Sequence, residues 1–212
     1  MRRAVWYFDV ISPFSYLHLK QFARLPADLE IEYVPVLFAG LLKAHGQKGP
    51  AEIVAKRVQT YRHCVFMARE AGIPMRFPPA HPFNPLHVLR LLCGAGASAD
   101  HVNAVFDCVW KDGLDVNQPE NFSALARRLG VADAAALIAQ PEVKQRLIAN
   151  TDRALARGIY GVPTFDFAGE LFWGSDSIGM MCAYATDPGL FATGELARVG
   201  SLPAAAVRKE AS

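Results

Sequence analysis

The order of elements along the chain predicts an α/β fold: a four-stranded mixed sheet carrying a large all-helical insertion. Three observations carry that expectation. An apolar stretch at residues 5–11 (VWYFDVI), a helical pattern, and a second extended stretch at 29–37 (LEIEYVPVL) make a βαβ start, which sets the first two strands parallel. From there to residue 141 the apolar spacing is helical. The chain then closes as helix, hairpin, helix, and the hairpin completes the sheet with two antiparallel strands.

Each element has a local reason. Residues 5–11 are rich in β-branched and aromatic side chains with one acid, Asp9, as suits a short central strand. Ser12 offers an N-cap oxygen, and Pro13 stands at the first helical position, where its missing N–H costs nothing. Phe14, Leu17, Phe22 and Leu25 then fall on one broad helical arc. Residues 50–72 carry Ile53, Val54, Val58, Tyr61, Val65 and Ala68 at helical spacing and end on a glycine. Pro74, Pro78, Pro79, Pro82 and Pro85 forbid regular helix over 73–85 and imply an ordered loop packed by Phe77 and Phe83. Short helices follow at 86–93, at 99–110 behind the cap Ser98, at 120–129 before Gly130, at 134–139, and at 142–157 between Pro141 and Gly158. Residues 163–167 and 170–173 flank Ala168-Gly169, a two-residue hairpin turn. A last helix is expected from Ser175 or Asp176, both good N-caps, and the small, polar tail from Ser201 is expected to fray.

Composition narrows the function classes. The 52% hydrophobic content of 212 residues is ample for a core. With 22 basic and 20 acidic residues, the net charge of +2 gives no electrostatic reason to expect nucleic acid or an anionic membrane as partner. No apolar run approaches the ~20 residues of a transmembrane helix. Asp9 interrupts the apolar run behind the two leading arginines, so no export signal is read and a cytoplasmic location is expected. Cys64, Cys93, Cys108 and Cys182 are widely separated with no C-x-x-C, and are expected to be reduced and buried. The histidines are equally scattered, and no metal site is expected.

The chemistry should sit where the first strand meets its helix. A hydroxyl at a helix start sees oriented backbone N–H groups and a partial positive charge, a place that favours an anion. As a residue, Ser12 has a sufficient explanation as a cap, Pro163 as a trans proline entering an edge strand, and Trp173 to Asp176 as a glycine turn with a capping pair.

Taken together, however, three motifs resemble a known family. F-D-V-I-S-P-F-S-Y at 8–16, G-V-P-T-F at 161–165 and F-W-G-S-D at 172–176 are similar to the 2-hydroxychromene-2-carboxylate isomerases and the related kappa-class glutathione transferases, on the thioredoxin fold of the DsbA-like type. Ser12 and Ser15 occupy the spacing at which redox members carry C-x-x-C. The resemblance implies a thioredoxin-like domain from residues 1–38 and 142–212 and a helical insertion domain at 39–141. It implies glutathione as cofactor, with the Ser12 hydroxyl donating a hydrogen bond to its sulfur. Pro163 would be cis and would turn the Val162 main chain toward the glutathione peptide, which pairs with it like an added strand. Trp173, Gly174, Ser175 and Asp176 would receive the γ-glutamyl end. Lys43, Gln47 and Lys48 in the loop before the long helix, with Asn84 as turn former or pocket wall, would face an aromatic carboxylate substrate. Gln47 stands where asparagine is more common and Gly49 where a second proline is, departures that bear on the substrate rather than the cofactor.

The activity so implied is a glutathione-dependent isomerisation of 2-hydroxychromene-2-carboxylate and trans-o-hydroxybenzylidenepyruvate, or of a close analogue, in a homodimer. Three alternatives stay open: a kappa-type transferase releasing a conjugate, a non-catalytic thioredoxin-like binding module, and a disulfide oxidoreductase. Serine in place of cysteine argues against the last.

Overall fold

The computed structural model describes residues 1–206; the end of the tail expected to fray lies outside the described residues. Strand β1 (Arg2–Phe8) is followed by α1 (Pro13–Leu19), a 3₁₀ turn (Phe22–Arg24) and β2 (Leu29–Pro35). The insertion then runs through α2 (Phe38–Ala44), a 3₁₀ turn (Pro50–Glu52), α3 (Val54–Glu70), α4 (Leu86–Ala95), α5 (Ala99–Phe106) with a π-helical continuation (Asp107–Lys111), α6 (Pro119–Arg128) and α7 (Ala134–Ala139). Helix α8 (Pro141–Ala156) leads to β3 (Thr164–Phe167), β4 (Glu170–Trp173), α9 (Ile178–Thr186) and α10 (Gly194–Val199). The sheet order is β2-β1-β3-β4, with β1 and β2 parallel and the other pairs antiparallel. This is the mixed sheet and helical insertion that the sequence predicts.

Several boundaries move for physical reasons. The first strand begins at Arg2 rather than Val5, because Arg2 and Arg3 pair with Asp28 and Glu32 alongside β2. It ends at Phe8 rather than Ile11, because the Asp9 side chain turns to accept backbone N–H groups and bends the chain out of the ladder. Helix α1 stops at Leu19, so Phe22 reaches the Trp6 ring from a separate 3₁₀ turn, edge-on at 5.0 Å. The apolar spacing of α3 does not mark its buried face: Cys64 and Ala68 are buried, whereas Val54, Val58, Val65 and Phe66 are exposed. Helix α3 packs against α1, and small side chains at the contact permit the close approach. The last helix starts at Ile178, after a turn over 175–177, because the Ser177 hydroxyl donates back to the Gly174 carbonyl at 2.8 Å. Ala168 and Gly169 both adopt positive φ, 49° and 90°, as a tight hairpin turn of this hand requires.

Alternation along β1 divides the core. Trp6 and Phe8 face α1 and the insertion, where Phe106 of α5 packs against both rings at 6.0 and 5.6 Å. Tyr7 faces the other way with Val34, Val36, Leu41, Ala154, Ile159 and Val162, beneath α2 and α8. The insertion and the sheet share one apolar cluster, so the end of β1 that carries Ser12 is held by both.

Candidate active site

Ser12 caps α1 from an extended backbone (φ −87°, ψ 113°), and its Oγ accepts the Ser15 N–H at 3.2 Å. Because that bond uses a lone pair, the Ser12 proton remains free to donate. The residue is 6% exposed, and Ser15, the second serine of the turn, is fully buried. Ser12 is therefore the hydroxyl a ligand could reach.

The other two motifs are joined to each other and to the elements that flank this turn. Antiparallel pairing of β3 with β1, ending at Tyr7 opposite Thr164, carries Pro163 toward the end of β1. The Val162-Pro163 bond is cis. Neither the N–H nor the C=O of Val162 has a hydrogen-bond partner among the described residues, although the residue is buried. The Thr164 hydroxyl donates to the Gly161 carbonyl at 2.8 Å, and the Gly174 N–H donates to the Pro163 carbonyl at 3.0 Å. Gly174, at φ 101°, turns the chain into the buried Ser175, whose carbonyl accepts at 3.4 Å from the side chain of Gln21, between α1 and the 3₁₀ turn that follows it. Asp176 is exposed beside it. Trp173 is 53% exposed and packs against Tyr160 at 5.1 Å; a Cβ on Gly161 would lie 2.6 Å from its indole nitrogen, so only glycine allows that packing.

The residues expected on the substrate side are placed as follows. Lys43, in the last turn of α2, and Gln47 and Lys48 in the following loop are exposed. That loop is anchored by His45, whose Nε2 lies 3.3 Å from the Ile159 carbonyl and whose ring meets Tyr160 edge-on. Asn84 accepts the Leu86 N–H at 3.0 Å, the turn-forming role, which leaves its amide nitrogen available as a donor.

Other residues of the site were not legible as such. Asp9 is completely buried, and its two oxygens accept the Ile11 N–H at 3.0 Å and the Phe38 N–H at 2.8 Å, joining the Ser12 turn to the start of α2. Burial pushes its carboxyl up to about 7, against the opposing pull of those N–H groups. Tyr160 and His45 gave no signal beyond being an aromatic and a histidine in loops. His18 is buried in α1 and accepts the Trp6 indole N–H at 3.0 Å; burial pushes its pKa down to about 3, which keeps it neutral and structural. Of the four cysteines expected to be buried, Cys64, Cys93 and Cys108 are, and burial raises all three thiols, whereas Cys182 on α9 is only half-buried. No helix among the described residues is long and apolar enough to cross a membrane.

Comparison with known proteins agrees with the fold. The family model for a DSBA-like thioredoxin domain matches residues 4–184. The 2-hydroxychromene-2-carboxylate isomerase of Pseudomonas putida is 30% identical over 183 residues, covering 83% of this chain and 90% of its own. Glutathione S-transferase kappa 2 of Caenorhabditis elegans is 26% identical over 205 residues, covering 86% and 91%. Among solved structures, a 2-hydroxychromene-2-carboxylate isomerase superposes with a TM-score of 0.75 at 26% identity, covering 90% of this chain and 97% of that one. The similarity spans all three motifs and the insertion between them, and on that basis this chain belongs to the 2-hydroxychromene-2-carboxylate isomerase family of DSBA-like thioredoxin-fold proteins.

Proposed function

We propose that the protein is a glutathione-dependent isomerase interconverting 2-hydroxychromene-2-carboxylate and trans-o-hydroxybenzylidenepyruvate, or a close analogue, in aromatic catabolism in the cytoplasm. The observation that carries the reading is the Ser12 hydroxyl, held by the Ser15 N–H with its own proton free, together with a buried Val162 main chain that has no hydrogen-bond partner among the described residues. Glutathione, when bound, would supply a thiolate nucleophile for reversible addition to an electrophilic carbon of the substrate. The chain's own residues do the rest. Ser12 donates to the sulfur, which favours the anion over the thiol by about 1.4 kcal/mol for each unit its pKa falls. Val162 offers one N–H and one C=O, the pair that an extended peptide uses when it adds to a strand. Ser175 and Asp176 present a hydroxyl and a carboxylate to the γ-glutamyl end, Asp176 suiting its ammonium, with Trp173 and Gly174 shaping that wall. Lys43 and Lys48, with Gln47 and Asn84, hold the substrate carboxylate. In this reading residues 1–38 and 142–212 bind the cofactor and the insertion at 39–141 holds the aromatic ring.

The kappa-class relatives support a second reading, a transferase that uses the same thiolate but releases a conjugate. Serine at both Ser12 and Ser15 leaves no thiol in this turn to form a disulfide. Calorimetric titration with glutathione, with an ultraviolet difference spectrum for thiolate, tests the cofactor, and the mass of the product separates the two reactions. Binding with thiolate absorbance and a product isomeric with its substrate is the expected result; absence of glutathione binding overturns the reading. The protein is further proposed to be a homodimer. Val54, Val58, Val65 and Phe66 on the outer side of α3 form the exposed apolar face such an assembly would cover. Sedimentation at the mass of one chain would refute the dimer.

A further inference from the structure

Two peptide groups lead into Ser12, and each is gripped at both ends. In the Val10–Ile11 peptide, the carbonyl accepts the Trp110 indole N–H at 2.9 Å and the N–H donates to Asp9 Oδ1 at 3.0 Å. In the Ile11–Ser12 peptide, the N–H donates to the Asp9 carbonyl at 3.1 Å and the carbonyl lies 2.9 Å from His81 Nε2. A carbonyl oxygen only accepts, so His81 Nε2 carries the proton. The ring is itself fixed. Its Nδ1 lies 2.8 Å from the Tyr61 hydroxyl, which also lies 2.7 Å from the His81 carbonyl; beside a neutral ring protonated on Nε2 both are acceptors, so the one Tyr61 proton is given to either the ring or the backbone of His81. Trp110, Phe77 and Phe83 wall the imidazole at 5.4, 5.9 and 6.0 Å. Burial lowers its pKa, the Arg57 charge adds to that, and the bond to Ile11 opposes it. The neutral ring with its proton on Nε2 is thus the form that meets Ile11.

The consequence reaches the reactive atom. Rotation of the Ile11–Ser12 peptide plane changes the Ser12 φ angle and so where its Cβ sits, while the bond from the Ser15 N–H holds χ1, so the plane and that bond together set the direction of the hydroxyl. We propose that His81, held by Tyr61, is a positioning residue for Ser12: by binding the Ile11 carbonyl it locks the peptide before Ser12 and aims the hydroxyl at the cofactor sulfur. The inference rests on the role of Ser12 proposed above. It links the helical insertion to cofactor activation through a contact 70 residues away in sequence.

The test compares the wild type with His81→Leu, His81→Gln and Tyr61→Phe. Glutathione affinity is read by calorimetry, and ionisation of the bound thiol by titrating its thiolate absorbance. Removing the donor in His81→Leu is expected to raise the pH midpoint of the bound thiol by about one unit, a roughly tenfold fall in its ionisation constant, while affinity changes by less than about threefold. Glutamine, whose amide N–H can reach the same carbonyl, is expected to bring the midpoint most of the way back to the wild-type value. Tyr61→Phe leaves His81 in place and is expected to give a smaller shift of the same sign in a protein that keeps the ring packing, which guards against a His81→Leu variant that does not fold. A wild type with bound thiolate and a His81→Leu variant with the same midpoint would overturn the positioning role alone. A wild type with no bound thiolate would overturn the reading of Ser12 itself, and His81's consequence with it.

Discussion

Ser12→Ala is expected to lower kcat/KM for isomerisation by roughly 10- to 150-fold, the loss of one hydrogen bond to a charged sulfur at about 1.5–3 kcal/mol. The loss should fall on kcat, because the thiolate is what reacts, while the contacts proposed for Val162, Ser175 and Asp176 continue to hold glutathione. The bound thiol should titrate one to two units higher, by the same energy. Ser12 also caps α1 through the Ser15 N–H, and losing that cap costs about 1 kcal/mol of stability. The two effects separate cleanly: a cap loss lowers the melting temperature but leaves the folded enzyme as active as before. A Ser12→Ala protein that binds glutathione and keeps more than half of the wild-type kcat/KM would reduce Ser12 to a cap.

What was legible in the sequence followed from local rules. Ser12 with Pro13 marks a helix start, and Ala168-Gly169 marks a hairpin, because the deciding atoms lie within three or four residues of one another. The consecutive aromatic residues Trp6, Tyr7 and Phe8 of β1 likewise announce a strand covered on both faces. The three motifs were legible as a set, but their meeting at one end of the sheet followed from resemblance, not from spacing. What stayed hidden depends on distant partners. His81 meets Ile11 and Trp110 meets Val10 across 70 and 100 residues, and no periodicity encodes such a pair. Helix α3 shows the limit from the other side. Its apolar spacing announced a helix correctly, yet the buried side is set by Cys64 and Ala68 against α1, and hydropathy favours the larger valines that face outward. Asp9 was visible only as an interruption of an apolar run, because its two N–H donors come from a turn and from a helix 29 residues on.

That same Asp9 should govern how stability depends on pH. Its carboxyl is raised from an ordinary 3.8 to about 7 by complete burial, so between those values the folded protein holds a proton that the unfolded chain has released. Its contribution is therefore fully present below about pH 4, is lost as the pH rises through 7, and amounts to about 4 kcal/mol over the window. Asp9→Asn removes the titration but leaves a single acceptor oxygen for the Ile11 and Phe38 N–H groups, so one buried donor loses its partner at a cost of about 1–3 kcal/mol at any pH. Denaturant unfolding from pH 4 to pH 8 should show the variant weaker than the wild type at the acid end and equal to it or more stable at the alkaline end. Asp28, Glu32, Asp115 and Glu195, whose carboxyls are lowered by their partners, give both proteins an opposite trend that cancels in the difference. A difference between the two proteins that stays flat over this range would mean that the N–H groups of Ile11 and Phe38 keep Asp9 ionised throughout. The turn that presents Ser12 would then be organised around a permanent buried anion, and a second anion at the cofactor sulfur would have to form against it.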